Sequence, residues 1–166
     1  IALVDMGALE LMMAGWDRHV NNSEALFGIC AALAAIGYDS VPSKRAILRT
    51  GFVEKGIEAL RVRKDPADRT REEVIQAFQS LSGRPPVPEI QEELLRAGLL
   101  DVVLPALRPE ESIMLRTNGF RLLTNLCLGA PARDALLLGG AVPLITEQID
   151  TWERHKWAAD VYDVEA

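Results

Sequence analysis

Histidine and cysteine are almost missing from this sequence, with two of each in 166 residues. His19 and His155 have no cysteine or carboxylate at ligand spacing, which argues against a metal site. Catalytic signatures are missing too: there is no Gly-x-Ser-x-Gly elbow and no phosphate loop. The adjacent carboxylates Glu72-Glu73, Glu92-Glu93 and Glu110-Glu111 are read as helix-start residues facing the positive end of the helix dipole. The chain is therefore expected not to be an enzyme and to need no cofactor. A basic excess is also lacking. The formal net charge is −6, so general nucleic-acid binding is not expected. No run of about 18 uncharged apolar residues occurs, so no membrane span is expected. Residues 1–13 carry no basic segment, and Asp5 and Glu10 interrupt their apolar stretch, so no secretory leader is read there. Aromatic residues are scarce, 5% against 49% apolar overall. Such a core is built from Leu, Ile, Val and Ala, which suits closely stacked helices.

What is present is a recurring pattern. Gly98 opens an apolar run, Leu99 to Leu104. A polar break follows at Pro109-Glu110-Glu111-Ser112. A second apolar run ends at Leu123-Thr124-Asn125-Leu126-Cys127, and Gly140-Ala141-Val142-Pro143-Leu144-Ile145 starts the pattern again. Gly7, Gly51, Gly98 and Gly140 fall 44, 47 and 42 residues apart. A second anchor, Leu33-Ala34-Ala35-Ile36, then Phe78-Gln79-Ser80-Leu81, then Leu123-Thr124-Asn125-Leu126, recurs at 45 and 45 residues. Two anchors holding one period point to a solenoid of paired or triple helices, in which one unit cannot bury its apolar face alone.

On these residues the chain resembles the armadillo-repeat family. Gly140-Ala141-Val142-Pro143-Leu144-Ile145 is similar to the family's glycine-led first helix. Leu123-Thr124-Asn125-Leu126-Cys127 is similar to its third helix. HEAT repeats are the nearest alternative, and the leading glycine argues for armadillo. The resemblance implies an all-α, right-handed α-solenoid of armadillo-like repeats. Its parts are a partial repeat at 1–6, repeats at 7–50, 51–97 and 98–139, and a partial repeat or cap at 140–166. Starting inside a repeat, the chain reads as a fragment of a longer one, with further repeats or a subunit covering its ends.

Taken in order, Asn21-Asn22-Ser23 precedes the apolar run Ala25 to Ile36 and reads as a helix N-cap rather than a glycosylation site. Gly37 ends that helix and Pro42-Ser43 begins the next. Residues 83–88 break a helix sharply. Pro105 either ends or kinks its helix, because proline lacks the N–H and clashes with the preceding turn. Cys30 and Cys127 fall at or beside core positions of the third helix and are read as reduced thiols. Two repeats apart, they cannot pair in a stack where each repeat touches only its neighbours. Reduced thiols favour an intracellular, cytoplasmic setting. Beyond Glu147, Trp152, Trp157 and Tyr162 mark a helix that either folds back as a cap or offers its face to a missing repeat.

Two candidate surfaces emerge. The resemblance implies a concave face lined by third helices, where an Asn meets the ligand backbone and a Trp one turn earlier packs on its side chains. Asn125 supplies the Asn, but Arg121 stands at the Trp place. The matching pairs are Gln76 with Ser80 and Ala31 with Ala35. The Trp–Asn ladder of nuclear-import adaptors is absent, so an extended basic peptide is not the expected ligand. The expected groove comprises Ala31, Ala35, Gln76, Ser80, Asn118, Arg121 and Asn125, small and polar. Asn125 serves either as a ligand contact or as a bond to a neighbouring loop. The second surface is a basic island at 44–71, with nine basic residues and four acids. Its members include Lys44, Arg45, Arg49, Arg61, Arg63 and Lys64. They form either solvated faces or a docking patch for acidic protein surfaces or phosphate groups. The expected function is a protein-binding scaffold or adaptor. The alternatives are a structural subunit, or the armadillo segment of a larger enzyme such as a ubiquitin ligase.

Overall fold

A computed structural model describes residues 6–65, 68–138, 140–143 and 145–147. The described residues are helical, with no strand among them. The helices are α1 (Ala8–Arg18), α2 (Ser23–Gly37), α3 (Val41–Leu48), α4 (Phe52–Val62), α5 (Thr70–Ser82), α6 (Pro88–Arg96), α7 (Leu99–Val103), α8 (Ile113–Leu126) and α9 (Ala130–Leu138), with a 3-10 turn at Pro105–Leu107 between α7 and α8. The expected partial repeat at 1–6 lies outside the described residues except for Met6. So do the residues beyond 147, including Trp152, Trp157 and Tyr162.

Local chemistry sets the helix starts. Asn22 caps α2, its Oδ1 accepting from the Ala25 N–H at 3.1 Å. Ser40 caps α3 through the Ser43 N–H, and Ser112 caps α8 through the Leu115 N–H. Pro42 and Pro88 sit in the first turns of α3 and α6, where a missing N–H does no harm. Gly7, Gly51 and Gly98 precede α1, α4 and α7 with φ of 77°, 75° and 87°, and Gly140 has φ 78°. This left-handed conformation suits glycine, and it turns the chain from the end of one helix into the start of the next. The glycine period therefore marks a recurrent backbone reversal. Pro105 ends α7 early, and the 3-10 turn carries the chain on with Ala106 and Leu107 fully buried.

Counted from the glycine, the second anchor lies in the second helix of each unit, not the third. Leu33–Ile36 is in α2, Phe78–Leu81 in α5 and Leu123–Leu126 in α8. A further helix, α3, α6 or α9, follows before the next glycine. The strongest packing runs from α2 to α5 and from α5 to α8, so these three make a central stack. Contacts of α4 with α7, α3 with α6 and α6 with α9 extend flanking stacks in the same direction. The buried residues Leu26, Leu33, Val74, Phe78, Leu81, Leu122 and Leu126 fill the central stack.

An aromatic run crosses the first boundary. Trp16 meets Phe52 edge-on at 5.9 Å, and Phe52 meets Phe78 at 5.4 Å. Gly56 makes room for it, because a Cβ there would lie 2.6 Å from the Phe78 ring. Gly56→Ala is therefore expected to destabilise the chain by about 1–3 kcal/mol through overpacking, read as a lower urea midpoint at unchanged slope.

Candidate functional site

The central stack sets the groove positions side by side. Ala31 and Ala35 lie one turn apart on α2, Gln76 and Ser80 on α5, and Arg121 and Asn125 on α8. Gln76, Arg121 and Ala35 are exposed, whereas Ala31, Ser80 and Asn125 are half-buried. The result is an open strip, mostly small and uncharged, with the Arg121 guanidinium at one end. Asn118 departs from the expected groove. It is only 3% exposed, and its Nδ2 has no hydrogen-bond partner. Its side chain is packed within the fold and not offered on the strip.

Asn125 has an internal use. Its Nδ2 donates to the Gln79 carbonyl at 2.9 Å, and its own carbonyl accepts from the buried Gln91 Nε2 at 3.2 Å. Gln79 lies in the last turn of α5, where carbonyls lack intrahelical donors. Asn125 thus closes the end of α5 from α8 and receives a bond from α6. Of the two uses open to it, the bond to a neighbouring segment is the one present.

The basic island is partly drawn into the fold, while Arg45, Arg49, Arg61 and Lys64 stay exposed. Lys44 is 0% exposed, and its Nζ donates to the Gly83 and Pro85 carbonyls at 2.8 and 2.9 Å. Burial lowers its pKa below the ordinary 10.5, against the opposing pull of Asp39. Its expected place on a docking surface is corrected: Lys44 is an internal plug that gives donors to a turn made of Gly83 and two prolines. Arg63 is also drawn inward, paired with Asp68 and bonded to the Val20 carbonyl. Arg71 is buried and grips Glu111 with both terminal nitrogens at 2.9 and 2.8 Å. Arg45 pairs with Glu89 at 3.1 Å, Lys55 with Asp17, and Arg61 donates to the Ala97 carbonyl at 3.3 Å. Arg49 and Lys64 bond to carbonyls of the helices they follow, Arg45 in α3 and Leu60 in α4.

These partners share a spacing. Lys44 and Gly83, Arg45 and Glu89, Arg71 and Glu111, Ser112 and Glu72, and Asn125 and Gln79 stand 39, 44, 40, 40 and 46 residues apart. Each separation is close to one repeat period. The reading of Glu72-Glu73 as helix-start residues fits their place in the first turn of α5. Glu110-Glu111 instead lies before α8 and supplies the Arg71 clamp, and Glu92-Glu93 lies within α6. Sequence reasoning missed the partners Asp17, Glu89 and Glu111. The available signal was an opposite charge about one period away.

The thiols differ. Cys30 is fully buried, and burial, reinforced by Glu73, pushes its pKa up, so it is an inert core group. Cys127 is exposed after the end of α8, a correction to its core assignment. It borders an apolar cleft of about 360 Å³ that includes Phe120, Leu123, Leu136, Val142 and Ile145. Among the described residues there is no cluster of three metal-ligating side chains and no helix long and apolar enough to cross a membrane.

No family model and no curated protein matches the sequence. Among solved structures, the fold is similar to the crystal structure of an engineered protein from the Northeast Structural Genomics Consortium, with TM-score 0.77 and 22% identity. The alignment covers 88% of this chain and 56% of that one. At that identity the likeness concerns the fold alone.

Three outcomes follow for the internal bonds. Lys44→Ala is expected to destabilise by about 2–4 kcal/mol, because it leaves a cavity and two carbonyls without donors, whereas Arg49→Ala stays within about 0.5 kcal/mol. Asn125→Ala is expected to cost about 1–2 kcal/mol. Urea unfolding of the three variants beside wild type checks both statements. For Asp68, burial acts to raise the pKa, but hydrogen bonds from Thr70 and Arg63 outweigh it and hold it below the ordinary 3.8. Its contribution is therefore present above that value and lost as the pH falls through the lower folded value. Asp68→Asn should flatten the acid limb of a stability–pH curve below about pH 4, which unfolding midpoints across acid buffers would measure.

Proposed function

We propose that the chain is a non-enzymatic, armadillo-like α-solenoid segment that recognises a protein partner along the outer strip of α2, α5 and α8. The observation that carries this reading is the exposure of Gln76 and Arg121 beside the small residues Ala31 and Ala35, while Asn125 on the same face is bonded internally. Small side chains let a partner's backbone or helix approach closely. Gln76 and Arg121 then supply directional donors at positions one repeat apart. The strip lacks the aromatic platforms that would grip an extended basic chain. A folded helix or loop with a carboxylate near Arg121 is the partner chemistry it suits.

The recurrent left-handed glycines, the unit-to-unit bonds at one period, and the fold likeness to the engineered protein all support a stacked-repeat reading. Of the basic island, Lys44, Arg63 and Arg71 are engaged within the fold and are not offered to a partner.

The test is a Gln76→Ala/Arg121→Glu double variant. Both side chains are exposed, so its unfolding midpoint is expected to stay within about 1 kcal/mol of wild type. Quantitative affinity capture with both proteins should show a partner retained by wild type and by Arg45→Ala/Arg49→Ala, and lost from the double variant. Equal capture by all three would remove the strip from the reading.

A further inference from the structure

A groove of about 790 Å³ runs along α4, bounded by the end of α1 and the start of α2. Two contacts span it. Lys55 pairs with Asp17 near the start of α4, and Arg63, just past its end, donates to the Val20 carbonyl. The buried Trp16, Leu26 and Ala59 form the floor. Val20 and Val62 line it from the α1 and α4 sides and are 50% and 63% exposed. The cations of the groove are committed, Lys55 to Asp17 and Arg63 to Asp68. Its acids Glu54 and Glu58 are exposed and form no ion pair among the described residues. Glu54 stands in the first turn of α4, facing the positive end of the helix; Glu58, one turn on, has no such compensation.

We infer that this groove docks a basic amphipathic helix of a partner protein. Three features select that occupant. First, the uncommitted charge of the groove is negative, which complements Lys or Arg. Second, Glu54 and Glu58 stand one turn apart on α4, and a helix with basic residues at i and i+4 presents them at the same interval. Third, the groove follows α4 from Glu54 to Val62, a rise of about 12 Å, which matches two turns of an apposed helix. Its apolar side chains would rest on the floor between the two exposed valines, as in other helix-in-groove contacts. None of the lining residues belongs to the strip of Gln76 and Arg121, so the inference does not rest on that reading. A second copy of the chain is the rival occupant, and the test separates the two.

The probe is a synthetic peptide of about 14 residues built from Ala, Leu and Lys, with Lys at i and i+4, beside a twin that has Glu in place of Lys. Fluorescence anisotropy of the labelled peptide should show saturable binding to the unaltered chain. Glu58→Lys should weaken it by ~10-fold or more, and Val62→Ser by ~3-fold or more. Glu92→Lys makes the same change of net charge at an exposed position on α6 and should alter it by less than about 2-fold. The three altered positions are exposed, so urea midpoints close to that of the unaltered chain are expected and separate lost binding from lost folding. The Glu twin should bind at least ~10-fold more weakly. Absence of saturation up to about 1 mM, retention by Glu58→Lys, an equal loss with Glu92→Lys, or equal binding of the twin would overturn the inference. Sedimentation that shows a dimer of the unaltered chain, dissociated by Glu58→Lys, would also overturn it and assign the groove to a second copy.

Discussion

Among the described residues, neighbouring groups of three helices satisfy polar groups and apolar surface in one another. The turn at Gly83 and Pro85 exposes two carbonyls inside the protein, and their donor is Lys44, from the preceding unit. The Gln79 carbonyl in the last turn of α5 accepts from the Ser82 hydroxyl and from Asn125, the latter from the following unit. Burying an ammonium or an amide is costly unless it is fully bonded, so each of these contacts fixes the distance between two units tightly. The hydrophobic contacts between α2, α5 and α8 supply the attraction, and the polar bonds set the register. Shifting one unit by a single helical turn would strand Lys44, Arg71 and Asn125 together.

The same constraint draws part of a stretch with nine cations and four acids into the fold. Several of its charges are matched across unit boundaries, beside local pairs such as Arg63 with Asp68. Arg71 and Glu111, Arg45 and Glu89, and Lys55 and Asp17 are distant in the chain and adjacent in space. On the outer strip, by contrast, the small residues Ala31 and Ala35 stand beside the exposed Gln76 and Arg121.

The features readable in the sequence were those set by local physics. Asn22, Pro42 and Gly37 announced their helix boundaries because capping and backbone restriction act within a few residues. The glycine spacing was readable because the same left-handed reversal is needed at each unit. Lys44, Asn118 and Asn125 were misjudged or left open for one shared reason. Whether a polar side chain points outward or into the stack depends on groups in the next unit, about 40 residues away. Cys127 was placed in the core because its motif lies on a packed helix, yet α8 has already ended where it stands. Helix phase alone does not show that a residue has passed the last turn. The armadillo likeness and the recognition strip remain readings of pattern, carried by the positions of Gln76 and Arg121.

The short reach of the internal bonds also bears on how the chain acquires its structure. The side-chain bonds between units described above close loops of no more than 46 residues, the span from Gln79 to Asn125. Low separation between contacting residues keeps the entropy of loop closure small and favours fast assembly. A nascent chain leaving the ribosome can therefore order its first unit as soon as the second emerges, without waiting for a distant C-terminal partner. The same economy makes each boundary between the described units a natural point of partial opening.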